Sequence, residues 1–136
     1  MIDQPVYIKM PDKKVSLEFL QDILDRAVPQ IGYWAEILVQ HKTVDGEYSS
    51  LDVVVNDGNS THRKIDLETV QRGIERMLRE YNPRIHEIFI TLSTPSFGQI
   101  CEWLITSIND GDTTMVDEDV ADAVLQYGAL GGQEFR

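Results

Sequence analysis

The chain has 136 residues, 42% of them hydrophobic and 26% charged, a balance that supports one ordinary folded core and excludes a disordered acidic chain. Its 23 Asp and Glu against 12 Lys and Arg give a formal net charge of -11, which repels phosphate backbones and anionic lipid and so argues against direct binding to nucleic acid or membrane. The lone Cys101 allows no internal disulfide, no run approaches about 20 apolar residues, and the first residues lack a basic-then-apolar leader, so a reducing cytoplasm is the expected compartment.

Val6 to Met10 is a short β-favouring run stopped by Pro11, and Ser16 is a suitable N-cap residue for a first helix. Leu17, Leu20, Ile23 or Leu24, and Ala27 recur at helical spacing, which predicts that helix from about Leu17 to Val28, ended by Pro29. From Tyr33 to His41 the β-branched and aromatic content predicts a strand, with Tyr33, Ala35, Ile37, Val39 and His41 on one face. Asp45-Gly46 is a turn dipeptide, Leu51 to Val55 a second strand, and Thr61 to Ile65 a third after the turn at residues 56–60.

Asp66 is placed to cap a helix whose apolar positions are Leu67, Val70, Ile74, Met77, Leu78 and Tyr81, closed by Asn82-Pro83. Ile85 to Leu92 is too short to separate strand from helical turn by periodicity. Ser93 or Thr94 with Pro95 opens another helix with Phe97, Ile100, Cys101, Leu104, Ile105 and Ile108 on its apolar face. Asp117 caps a last helix presenting Val120, Ala121, Val124 and Leu125, with Tyr127 as a further candidate for that face, and Gly128, Gly131 and Gly132 predict a flexible or tightly turned tail. With no repeat or linker, residues 1–136 form a single domain. The fold expected is α+β: a small antiparallel meander from about Tyr33 to Ile65, covered by three or four helices.

Few residues invite chemistry. His41, His62 and His86 lack a partner at metal-ligand spacing, Cys101 sits on an apolar helical stripe, and the Asp/Gly clusters at Asp57-Gly58 and Asp110-Gly111 fit turns better than calcium loops. No phosphate loop, dinucleotide fingerprint or nucleophile elbow is present, so no cofactor or metal is expected. The densest acidic stretch is Asp112, Asp117, Glu118, Asp119 and Asp122, which reads either as a solvated, capped helix start or as a partner site. Tyr33, Trp34 and Trp103 are the candidate aromatic anchors. Packing is the ordinary use of the first two, whereas Trp103 falls off its helix's apolar stripe and is expected to be exposed, or packed on a neighbouring element or on a second chain as in a homodimer.

Two segments carry a resemblance. Ile31-Gly32-Tyr33-Trp34-Ala35 resembles a helix followed by a Gly-x-Tyr-Trp strand entry, and residues Asp117 to Gly131 resemble an Asp-rich, Ala-Asp-containing terminal helix ending in Ala-Leu-x-Gly. Together they look like a group of small bacteriophage and mobile-element proteins, which implies a host-cytoplasm setting and carries over no catalytic residues. The function expected is therefore binding, not catalysis: occupation of a basic surface on a host protein, such as a defence factor, by Asp112, Asp117, Asp119 and Asp122 with Tyr33, Trp34 or Trp103 as anchors. Two other classes compete with it. One is a pocket for a nucleotide-like ligand using arginines such as Arg63, Arg72 or Arg84. The other is a hydrolase, which requires carboxylates converging in a cleft.

Overall fold

The computed structural model describes residues 15–81, 97–132 and 135. The expected Val6–Met10 strand, the Asn82-Pro83 stop, the Ile85–Leu92 segment, the Ser93/Thr94-Pro95 helix start, Arg84 and His86 lie outside these residues.

Helix α1 (Leu17–Ala27) starts where Ser16 Oγ accepts the Phe19 N–H at 3.1 Å. It buries Phe19, Leu20, Ile23, Leu24 and Ala27, so the expected stripe holds from Leu20 onward, while Leu17 at the first position is exposed and Phe19 takes its place in the core. The α-helix ends at Ala27 with Val28 as its C-cap, next to Pro29 as expected, but the chain stays helical in a tighter form. Pro29 sits at the start of a 3₁₀ turn spanning Val28–Tyr33, where a proline costs nothing because the first N–H groups of a helical turn have no intrahelical acceptor.

Strands β1 (Ala35–Lys42), β2 (Tyr48–Val55) and β3 (Thr61–Asp66) form an antiparallel sheet in the order β1-β2-β3. Leu51, Val53, Val55 and Ile65 line its buried face. The alternation expected along β1 fails halfway, because Ile37 pairs with Val53 but Val39 pairs with Asp52, leaving Leu38 as a bulge. A bulge inserts one residue and reverses the facing of those after it. Val39 and Leu38 are accordingly exposed, at 45% and 50%.

Helix α2 (Leu67–Glu80) is set by a reciprocal cap: Asp66 Oδ1 accepts the Thr69 N–H at 3.0 Å, and Thr69 Oγ1 accepts the Asp66 N–H at 3.1 Å. Helices α3 (Phe97–Asp110) and α4 (Glu118–Leu130) complete the described chain. Helix α4 is the centre of the domain. It packs on α2 and α1, and more lightly on α3, β3 and the 3₁₀ turn. Every residue from Val120 to Gly128 is buried, as befits a helix enclosed on all sides.

Gly128 is therefore not part of a loose tail. At the crossing of α2 and α4, a Cβ on Gly73 would run into the Val124 carbonyl, and one on Gly128 into the Thr69 carbonyl. The two glycines let the backbones touch. The turn lies later, at Gly131, whose φ of 86° ends α4 in the left-handed conformation.

Candidate functional site

The 3₁₀ turn and α4 bring four polar side chains together inside the domain. Asp122 is only 7% exposed, yet its carboxylate meets three donors. Trp34 Nε1–H donates to Oδ1 at 2.7 Å, while the Tyr33 hydroxyl and the Gln126 Nε2 amide donate to Oδ2, the latter at 3.1 Å. Gln126, one helical turn beyond Asp122 and fully buried, uses the rest of its amide on Phe135. Its Nε2 donates to the Phe135 carbonyl at 3.0 Å and its Oε1 accepts the Phe135 N–H at 2.8 Å. The Phe135 ring stacks on Trp34 with centroids 6.2 Å apart.

Dehydration dominates the electrostatics of this cluster. It holds the Asp122 carboxyl above its ordinary value although the Tyr33, Trp34 and Gln126 donors pull the other way, and Asp119 adds a like-charge contribution. The Tyr33 hydroxyl is pushed upward by burial first, then by its bond to the Asp122 carboxylate. A proton held this firmly makes Tyr33 a donor and not a base.

On the outside, Asp117, the N-cap of α4, accepts the Val120 N–H at 2.9 Å. With Arg26, Val116, Glu118 and Asp119 it lines an open depression of about 430 Å³. Arg26 Nη1 donates to the Thr113 and Val116 carbonyls, both at 2.6 Å, so α1 pins the loop that leads into α4. Asp112 is exposed on that loop, and its carboxyl is held below its ordinary value by the Thr114 N–H.

The structure thus divides the expected interface residues. Asp112, Asp117 and Asp119 are exposed near the start of α4, and Tyr33 is 47% exposed above Asp122. Trp34 is 0% exposed and Asp122 is consumed by internal donors. Neither reaches a surface partner as expected, because an indole N–H and a carboxylate satisfied by each other are held inside. Trp103 on α3 is half-buried against the core, the neighbour-packed one of its expected placements. Sequence patterns did not single out Gln126 or Phe135. The signal for the first is the pair Asp122 and Gln126, four apart on one face of an otherwise apolar helix.

The segments at 31–35 and 117–131 are far apart in sequence, and the Tyr33–Trp34–Asp122–Gln126 cluster is where they meet. Two of the arginines considered for a ligand pocket also meet, at the opposite end of α4. Arg63 Nε donates to the Ala129 carbonyl at 3.3 Å and Arg72 Nε to that of Gly128 at 3.1 Å. Arg76 Nη1 joins them, donating to the carbonyls of Tyr127 and Gly128 at 2.8 and 3.3 Å.

Cys101 is fully buried and its thiol is pushed up to about 12, by burial first and then by Glu80 and Glu102. It has no nucleophilic character in the folded chain. Among the described residues no three His, Cys, Asp or Glu side chains are grouped so as to hold a metal ion, and no helix is long and apolar enough to cross a membrane. Comparison of the chain with protein families, with curated proteins and with solved structures finds no match.

Proposed function

We propose that this chain is a non-enzymatic binding protein of a phage or mobile element, working in the host cytoplasm by occupying a basic surface of a host protein such as a defence factor. The observation that carries the reading is the exposed acidic face at the start of α4. There Asp117, Glu118 and Asp119 surround the depression beside Arg26, with Asp112 on the adjoining loop and Tyr33 close enough to feel the Asp119 charge. An acidic rim with an aromatic beside it suits steering and docking of a basic partner. A carboxylate hydrolase is less well served, because Asp122, the buried acid, has both oxygens committed to internal donors.

The test uses the exposed acids that are not needed inside the fold. Asp112→Asn, Glu118→Lys and Asp119→Lys are combined, leaving the Asp117 cap and the Asp122 cluster intact. Wild type and variant are used to capture partners from a bacterial host lysate over a salt series, with circular dichroism to confirm folding. The reading expects a partner that is retained at low salt, released as salt rises, and lost to the variant. Capture that ignores both salt and charge reversal would defeat it.

A further inference from the structure

The geometry points to an anion site at the C-terminal end of α4, formed by Arg63, Arg72 and Arg76 and suited to a small phosphate dianion, either free or as a phosphomonoester. Helix α4 has no basic residue in its own last turn. Its orphan carbonyls at 127, 128 and 129 are met instead by guanidiniums from β3 and α2. Capping alone does not account for three of them. A helix C-terminus is equivalent to roughly half a negative charge, whereas the arginines bring three full positive ones.

The surplus is not neutralised locally. In a chain with nearly twice as many acids as bases, none of these arginines has a carboxylate within ion-pair distance among the described residues, the ion pair found there being His41 with Asp52. Of the acids at helical spacing from Arg72 and Arg76 on α2, Glu75 accepts from Gln71 at 3.1 Å, and Glu68 and Glu80 are not in ion pairs with them. Donors also remain. A guanidinium offers five N–H groups, and Arg72 and Arg76 each engage protein through one nitrogen. Arg63 and Arg72 are exposed, and Arg76 Nη1 lies 3.9 Å from where a Cβ on Gly131 would stand.

Planar guanidiniums carrying unused donors match phosphate oxygens. The surrounding net charge of -11 sets the size of the ligand, because an extended polyanion such as nucleic acid would meet repulsion along its length while a compact dianion sees mainly the local positive field. The site is distinct from the acidic face, about 20 Å away at the other end of a 13-residue helix.

The probe is inorganic phosphate, titrated against chloride at matched ionic strength and followed by the amide resonances of Gly131 and Gly132, with a nucleoside 5′-monophosphate in a parallel arm. A saturable response is expected, weakened roughly tenfold or more in Arg72→Gln, the usual cost of removing one charged hydrogen bond. Tighter binding of the monophosphate assigns the site to organic phosphates, and equal binding to the phosphate group itself. Circular dichroism checks folding. Should Arg72→Gln unfold, Arg72→Lys keeps the charge with fewer fixed donors and is expected to fold and bind more weakly. The inference is overturned if neither anion gives a saturable response beyond chloride, or if the response survives in the folded Arg72 variant.

Discussion

Trp34 and Asp122, 88 residues apart in sequence, are joined by a buried 2.7 Å hydrogen bond from the indole N–H to the carboxylate. The bond ties the entry to the sheet to the central helix. It also explains why a charge sits inside the fold: the carboxylate serves three donors, and the fully buried Trp34 indole N–H has no other acceptor among the described residues.

Replacing Asp122 with Asn removes that charge but puts an amide N–H₂ against at least one donor. A net loss of about 1–3 kcal/mol is expected, the range for a buried group left unpaired, read as a lower urea midpoint at neutral pH. Trp34 fluorescence should shift to the red as water reaches the indole.

The same pair of proteins reports the titration of Asp122. Its folded carboxyl titrates above the ordinary value of 3.8, so between the two values the folded chain binds more protons than the unfolded one, and stability falls as pH rises. Measured relative to Asp122→Asn, the wild type should gain stability as pH is lowered through the folded pKa towards 3.8, then level off. Asp57 and Asp112 titrate below that value when folded and act in the opposite sense at lower pH. They are common to both proteins and cancel in the difference.

Gly73→Ala and Gly128→Ala test the crossing of α2 and α4. Alanine favours a helix over glycine by about 1 kcal/mol, whereas overpacking costs typically about 1–3 kcal/mol and occasionally more. Here each new methyl meets a main-chain carbonyl that cannot rotate away. Steric cost wins, and each variant should lose about 2 kcal/mol or more in chemical denaturation.

Ser107 goes the other way. Its hydroxyl is fully buried in α3 and has no hydrogen-bond partner among the described residues. Ser107→Ala should be neutral or stabilising by up to about 1 kcal/mol, since it removes an unpaired polar group and adds helix propensity. A clear loss of melting temperature would show that the hydroxyl has a role the packing does not reveal.

Cys101 should resist a thiol reagent such as iodoacetamide in the native state at pH 8. Labelling should track global unfolding and accelerate with urea, because burial keeps the thiol protonated and enclosed. Mass spectrometry over time distinguishes this from rapid native labelling.

Local chemistry made much of the fold legible. Ser16, Asp66 and Asp117 each cap the helix their side chains announce, and the apolar spacing of α2 matches its buried face. Legibility ended where a residue's role depends on something distant. Asp122 comes after Asp117, Glu118 and Asp119 and so resembles one more surface acid. What encloses it is Trp34 and Tyr33, nearly ninety residues earlier. Arg63 and Arg72 stand out as candidate ligand arginines in the sequence, but Arg76 and the convergence of all three on α4 do not, since they come from β3 and α2 while their acceptors belong to α4. The Leu38 bulge left no mark in the alternation of apolar residues, because Ile37, Leu38 and Val39 are all apolar.

That bulge also bears on how one copy of the chain would meet another. Among the described residues β1 is an outer strand of the sheet, and a long flat outer strand is a template on which another chain can add. The extra residue at Leu38 bends the ladder and spoils its fit to a straight neighbour. Deleting Leu38 would remove that irregularity beside the exposed Val39 and lengthen the even run of the ladder as far as the second register shift at His41/Lys42, making the outer strand a better template for an added chain.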